Sequence, residues 1–264
     1  MQLTIGLAQM DIVLGQPDQN LATVRALAAE AAEQGVEWLV LPELWSTGYD
    51  LKQAEHHATA PDSGIFAQTS RLAQEFGLYI VGSCLAQLPE GGVGNTAVFH
   101  TPTGTTLGHY SKIHLFQLMD EHHYLTAGNT KTVVEWPWGK VGLTICYDLR
   151  FPELFRAYAL ARANIIVVPA EWPNPRLSHW RTLLRARAIE NQLYIVACNR
   201  VGATNTTTFF GHSTIIDPWG EIVVEGGETA ELLTATIDLD LVDEVRTKIP
   251  VFADRRPEIY ESVP

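Results

Sequence analysis

The sequence repeats itself, and the repeat narrows the folds open to it. Ile165-Ile166-Val167-Val168-Pro169-Ala170-Glu171 echoes Trp38-Leu39-Val40-Leu41-Pro42-Glu43. Upstream of each, Lys140-Val141-Gly142-Leu143-Thr144-Ile145 echoes Leu3-Thr4-Ile5-Gly6-Leu7-Ala8. Each unit reads strand, helix, strand, and its second strand runs into proline and then glutamate. Two such units predict an α/β protein in which two sheets pack face to face with helices outside.

Local signals fill in the rest. Residues 3–10 read as a strand, and Asp18 or Asn20 is expected to cap a helix over residues 21–34 that Gly35 stops. Residues 36–42 form a second strand, residues 65–76 a helix ended by Gly77, and residues 78–85 a third strand. The turns Gly91-Gly92 and Pro102-Thr103-Gly104 mark an antiparallel portion. Past the polar stretch 111–130, strands are expected at 131–136 and 140–146, and a helix at 178–191. Further strands are expected at 193–199, 209–216, 221–225 and 232–237, with Asp217-Pro218-Trp219-Gly220 as a turn. No linker or low-complexity run interrupts the chain, so one domain over residues 1–264 is expected.

Charge and cysteine usage exclude several classes of function. A net charge of −12, with no local basic cluster, argues against nucleic acid or an anionic membrane as partner. The start Met1-Gln2-Leu3-Thr4-Ile5-Gly6 lacks a basic leader and reads as a strand. No apolar run approaches the roughly 20 residues that span a bilayer. The 3 cysteines include no close pair and make no disulfide framework. A reduced, cytoplasmic protein is expected.

One of those cysteines carries the strongest chemical signal. In Val141-Gly142-Leu143-Thr144-Ile145-Cys146-Tyr147-Asp148-Leu149-Arg150-Phe151-Pro152-Glu153, an apolar strand delivers a thiol to a charged turn, and Pro152 opens a helix. A strand-to-helix turn exposes the side chain at its apex and points main-chain N–H groups at whatever binds there. A cysteine chosen at random is more often an inert core thiol. Asp148, Arg150 and Glu153 beside Cys146 count against that, whereas Cys84 and Cys198 sit in apolar strands and read as core.

A cysteine nucleophile needs a base or a cation beside it. The chain has 9 histidines, but His56-His57 and His122-His123 lie in polar loops. Glu43, brought by Leu41-Pro42 to the mouth of a strand, is the better base, and burial would raise its proton affinity. Taken alone, a glutamate after a strand is more often a cap or a surface group. Lys112 lies among apolar and aromatic residues in Tyr110-Ser111-Lys112-Ile113-His114-Leu115-Phe116. A buried ammonium requires counter-charges, for which Glu43 and Glu121 are candidates, and it would stabilise a tetrahedral oxyanion.

Together these blocks resemble the three catalytic motifs of the nitrilase (carbon–nitrogen hydrolase) superfamily: Leu41-Pro42-Glu43, Ser111 to Phe116, and Ile145 to Glu153. They occur in the family's order, and the likeness spans nearly the whole chain. The resemblance implies a four-layer α-β-β-α sandwich of two mixed sheets. It implies a homodimer joined through the helix after the nucleophile and through a tail at about 249–264. It also implies a catalytic triad of Glu43, Lys112 and Cys146, with Glu121, in Met119-Asp120-Glu121-His122-His123-Tyr124, as a second glutamate of the site. No metal and no organic cofactor are implied.

Within the superfamily, Tyr147-Asp148 after the cysteine and the end at Pro264 differ from the true nitrilases, which carry Trp-Glu and a longer C-terminus. The segment Glu171-Trp172-Pro173-Asn174-Pro175-Arg176, with His179-Trp180 and residues 185–192, is similar to bacterial omega-amidases. Those enzymes hydrolyse the terminal amide of 2-oxoglutaramate and 2-oxosuccinamate. The tail 249–260 looks more like Nit-type amidases in general, including those acting on deaminated glutathione. A small amide is the expected substrate, with Phe116, Tyr147, Arg150 and Trp172 as pocket candidates and Arg176, His122 and His123 as further carboxylate ligands. Arg150 is expected to pair with Asp148 or Glu153 slightly ahead of binding substrate, and the aromatics are otherwise core. A histidine-based metallohydrolase finds no His-Glu-x-x-His spacing to support it. A non-catalytic interaction module would have no use for an intact triad.

Overall fold

The apolar runs become strands in a computed structural model that describes residues 1–260. The first half supplies β1 (Gln2–Gln9), β2 (Trp38–Val40), β3 (Tyr79–Gln87), β4 (Val93–His100) and β5 (Thr106–Ser111). The second supplies β6 (Thr132–Trp136), β7 (Gly139–Leu143), β8 (Ile165–Ala170) and β9 (Tyr194–Asn199). A short hairpin, β10 (Val201–Thr204) with β11 (Thr207–Phe210), precedes β12 (Thr214–Ile216), β13 (Ile222–Glu225) and β14 (Glu231–Asp238). One six-stranded sheet runs β14-β1-β2-β3-β4-β5 and the other β13-β12-β9-β8-β7-β6. Each has a parallel centre and antiparallel flanks, so both sheets are mixed.

The repeat seen in the sequence is a repeat of register. In the first sheet Ile5, Gly6 and Leu7 face Trp38, Leu39 and Val40. In the second, Val141, Gly142 and Leu143 face Ile165, Ile166 and Val167. With Pro42 aligned on Pro169, the pairings coincide residue for residue. Ala170 then sets Glu171 one residue further along its strand than Glu43.

Helices cover the outer faces: α1 (Pro17–Glu33) and α2 (Gly64–Phe76) on the first sheet, α3 (Pro152–Leu160) and α4 (Leu177–Asn191) on the second. Because side chains alternate along a strand, Trp38 and Val40 point between the sheets while Leu39 and Leu41 pack under α1 and α2. The layers are therefore α-β-β-α. Trp38 meets Trp136 of the other sheet edge-on, with ring centroids 4.3 Å apart.

Three expectations change in detail. Asp18 and Asn20 do not cap the first helix, which starts earlier with Pro17 in its first turn and Gln16 at the cap. Asn20 instead lies inside it, fully buried, and ties Val13 to the carbonyl of Ser46. Residues 209–216 are not one strand, because Gly211 (φ 71°) and His212 (φ 51°) turn the chain from the β10–β11 hairpin into the second sheet. The strand leading to Cys146 ends at Leu143, and Cys146 belongs to a short 3₁₀ turn over Cys146–Arg150. A further helix, α5 (Asp240–Lys248), follows β14 where none is expected. Residues 261–264 of the expected interface tail lie outside the described residues.

Candidate active site

Three strand ends and one short helical turn bring Glu43, Lys112, Cys146 and Glu121 together. Glu43 follows β2, Lys112 follows β5, and Cys146 follows β7. Lys112 sits in the middle of the cluster. Its Nζ donates to Glu43 Oε1 at 2.7 Å and to Glu121 Oε1 at 2.6 Å, and all three side chains are fully buried. The third ammonium N–H finds no acceptor among the described residues.

Removing three charges from water is costly unless they satisfy one another. Two carboxylates around one ammonium leave an excess of negative charge. Burial pulls Lys112 down, but Glu121 and Glu43 outweigh it and hold the ammonium firmly protonated. Burial pushes Glu121 up, opposed by Lys112 and assisted by Glu43. Glu121 Oε2 also accepts the main-chain N–H of Phe116 at 2.7 Å, which fixes the loop after Lys112.

Glu43 is held from four directions. Its Oε1 accepts from Lys112, from Asn95 Nδ2 at 2.8 Å and from the Tyr49 hydroxyl at 3.1 Å. Its Oε2 accepts one hydrogen bond among these, from the main-chain N–H of Glu171 at 2.9 Å. Oε2 thus keeps the lone pair that a transferred proton can use. The Tyr49 hydroxyl, with one proton shared between the two carboxylates, lies nearer Glu121 Oε1, at 2.6 Å, and burial with three neighbouring carboxylates and the thiol keeps its phenol neutral.

Cys146 stands at the elbow, with φ 44°, a left-handed value costly for any residue but glycine. The residue is 4% exposed. Burial, reinforced by Glu43, pushes the thiol well up, against the pull of Lys112. The resting group is a thiol, and nucleophilicity depends on proton transfer to a neighbour rather than on a pre-formed thiolate. Cys84, pushed up to about 12, and Cys198, also pushed up by burial, are core thiols in strands.

Asp148 locks the strained turn. It accepts the N–H of Ile145 at 2.9 Å and the Tyr110 hydroxyl at 2.7 Å on one oxygen. The other oxygen lies 2.7 Å from His114 Nδ1 and 3.2 Å from His114 N. The nucleophile turn of the second sheet is thereby fastened to the lysine segment of the first. The N–H of Tyr147 is left without an acceptor among the described residues.

Arg150 does not pair with Asp148 or Glu153 as expected, because Asp148 is already saturated by Tyr110 and His114. Its guanidinium lies over Trp172 at 4.8 Å and Tyr147 at 6.0 Å instead, and touches His179. Arg176 lies over Phe116 at 5.9 Å, and Phe116 meets Tyr147 at 4.7 Å. Phe116, Tyr147, Trp172, Arg150 and Arg176 thus form a contiguous aromatic and cationic wall. Neither arginine makes an ion pair among the described residues. His122 and His123 pack on each other, exposed, 3.8 Å apart. A cavity of about 750 Å³, lined by Thr96, His109 and Ser111 among others, includes none of Glu43, Lys112, Glu121 and Cys146 in its lining.

Tyr49, Asn95 and Glu171 escape sequence reasoning. Tyr49 and Asn95 carry no motif, being a loop tyrosine and a strand asparagine. Glu171 did have a signal: it ends the strand that repeats Leu41-Pro42-Glu43.

Known proteins resemble this chain over nearly its whole length. The profile of the carbon-nitrogen hydrolase family matches residues 4–247. The chain is 42% identical to a 2-oxoglutaramate amidase of Bacillus subtilis strain 168, over 98% of this chain and 100% of that protein. It is 33% identical to omega-amidase NIT2 of Xenopus tropicalis, over 92% of this chain and 91% of that one. A CN-hydrolase superfamily protein from Xanthomonas campestris, whose crystal structure has an arsenic adduct in the active site, superposes with a TM-score of 0.90. That pair shares 32% identity over 97% of this chain and 98% of the other.

Proposed function

This chain belongs to the carbon–nitrogen hydrolase family, and from that premise we propose that it works as an omega-amidase. It hydrolyses the terminal amide of a small 2-oxo dicarboxylic acid monoamide, 2-oxoglutaramate or 2-oxosuccinamate, to the acid and ammonia. The observation that carries the reading is Lys112. It is buried between two carboxylates, beside the thiol, with one N–H to spare.

In this reading Glu43 takes the proton of Cys146 as the sulfur attacks the amide carbonyl and an S–C bond forms. The carbonyl electron pair moves onto oxygen, where the spare N–H of Lys112 and the N–H of Tyr147 receive it. Each such donor contributes about 3–4 kcal/mol to the transition state. Glu43 then returns its proton to the leaving nitrogen, the C–N bond breaks, and ammonia departs from a thioester. Water attacks the thioester while Glu43 accepts its proton, the acid leaves, and Cys146 recovers its proton from Glu43. Glu121 orients Lys112 throughout. The steps need no metal and no organic cofactor.

Arg150 and Arg176 supply the grip on the distal carboxylate of the substrate. On a chain of net charge −12, an anionic substrate needs a local positive site to approach. A carboxylate paired there would find two cations already held over Trp172, Tyr147 and Phe116. Ammonia release from a panel of 2-oxoglutaramate, glutamine, deaminated glutathione, a simple aliphatic amide and a nitrile tests the reading. kcat/KM should be highest for 2-oxoglutaramate. A clear preference for deaminated glutathione would require a longer pocket, and a preference for the nitrile would sink the branch assignment.

The same reading has the enzyme working in the cytoplasm as a homodimer. Leu160 on α3 and Ile249, Ile259 and Tyr260 in the tail are large apolar side chains left exposed. They lie on the helix after the nucleophile and on the tail, the two segments through which the family resemblance implies dimerisation. Sedimentation at micromolar concentration should give twice the chain mass, and a monomer would remove the proposal.

A further inference from the structure

Glu171 is fully buried beside the site, yet the reaction as written does not use its carboxyl group. Its Oε2 accepts from Arg200 at 2.9 Å, while its Oε1 has no hydrogen-bond partner among the described residues. Its own main-chain N–H is the donor to Glu43 Oε2. Arg200 is itself fully buried and reaches across the sandwich. It donates to Asp11 Oδ1 at 2.8 Å, to the carbonyl of Ile12 at 2.8 Å and to Thr204 at 3.2 Å. One side chain thus ties the end of β8 to the loop after β1, with the peptide that supports Glu43 between them.

We propose that Glu171 is a positioning residue for the reaction: anchored by Arg200, it presents its N–H to Glu43, and its carboxyl group must be uncharged for the site to turn over. The inference rests on the roles given above to Glu43, Lys112 and Cys146. The physical reason is charge. Attack on the amide builds negative charge on the substrate oxygen, in a site that already holds Glu43 and Glu121 around one ammonium. A further buried anion close by opposes that step, and low dielectric makes the opposition strong.

The groups facing Glu171 are few. Arg200 and Lys112 favour its charged form, and Glu43 disfavours it. Tyr49 senses its charge, and Asp11 shares Arg200 with it. Burial dominates and pushes Glu171 up to about 8, so the carboxyl is mostly neutral at pH 7 and ionises in mild alkali. A neutral carboxyl accepting from Arg200 has the shape of glutamine. That makes Glu171→Gln the informative variant.

The test is kcat against pH for wild type and Glu171→Gln on 2-oxoglutaramate, with infrared pH titration of both proteins free of substrate. Wild-type kcat should fall about tenfold per pH unit above an inflection near 8, and Glu171→Gln should keep kcat within about threefold at pH 7 while losing that inflection. The wild-type spectrum should contain a neutral carboxylic acid band, absent from the variant, that disappears with the same inflection. An unchanged alkaline limb in Glu171→Gln would overturn the proposal, as would a hundredfold loss at pH 7, which would show that a charged carboxylate is needed. If no amide is turned over, the functional reading fails by itself. The infrared titration then still decides the charge of Glu171, and an ionised group at pH 7 would overturn this inference. If Glu171→Gln does not fold, the wild-type band and its pH dependence decide in the same way.

Discussion

At the scale of single residues, the site works by arranging two proton positions around one fixed cation. Lys112 cannot lose its proton while flanked by Glu43 and Glu121, so it acts as a point charge with directed N–H bonds. A guanidinium is planar and larger, and it has no room in a fully buried site cut to a compact ammonium. Lys112→Arg should therefore lower kcat by at least a hundredfold, corresponding to about 3 kcal/mol of lost oxyanion stabilisation. Steady-state kinetics on a folded variant checks it, and near-normal kcat would mean that charge alone suffices. The thiols make a second residue-scale prediction. Burial raises all three, but only Cys146 has Glu43 beside it to take the proton. Peptide mapping after brief iodoacetamide treatment should find Cys146 alkylated first. Labelling of Cys84 or Cys198 ahead of it would refute the assignment.

At the scale of elements, the decisive unit is the 3₁₀ turn Cys146–Arg150 between β7 and α3. Its left-handed Cys146 is held by Asp148, which also reaches Tyr110 on β5 of the other sheet and His114 in the loop after it. Strain of this kind persists only where the surroundings over-determine it. Asp148→Ala removes the acceptor from the N–H of Ile145, the Tyr110 hydroxyl and His114 together. Each buried donor left unpaired costs about 1–3 kcal/mol. The variant should melt several degrees lower and lose at least tenfold in kcat, because the Tyr147 N–H no longer aims where the oxyanion forms. Thermal unfolding followed by circular dichroism, with kinetics below the transition, separates the two effects. Unchanged kcat at a lowered melting temperature would show that the turn needs no such clamp.

At the scale of the whole molecule, the two sheets are joined by apolar packing and by a few buried polar ties, and a buried titratable group within one sheet makes stability depend on pH. His100 on β4 is buried with its Nε2 unpaired, and burial lowers it from 6.5 to about 4. The folded protein therefore binds that proton less readily than the unfolded chain does. Stability is unaffected well above pH 6.5, falls as pH drops through 6.5, and stops falling on this account below about 4. Between pH 7 and pH 5 the loss should be about 1–2 kcal/mol. Urea unfolding at the two pH values should show it, and His100→Phe should shrink the difference. An equal difference in the variant would assign the acid sensitivity elsewhere.

Much of the fold and the centre of the site were legible from the sequence because they depend on short-range pattern. Apolar runs, Gly77 at a helix end and the paired strand–helix–strand units fix which segments are strands, and matched registers follow once Ile5 meets Trp38 and Val141 meets Ile165. Glu43, Lys112 and Cys146 could be picked out because each ends a strand or sits where a charge is out of place. Other features were decided only by tertiary structure. Tyr49 and Asn95 carry no local mark, yet the sandwich brings both onto Glu43. Arg150 has two acidic neighbours in sequence but meets neither, since Asp148 is consumed by Tyr110 on the facing sheet and His114 in the loop after it. The difference is physical: strand and helix formation respond to neighbours a few residues away, whereas the protonation and partners of a buried charge depend on what the closed core leaves within hydrogen-bonding distance.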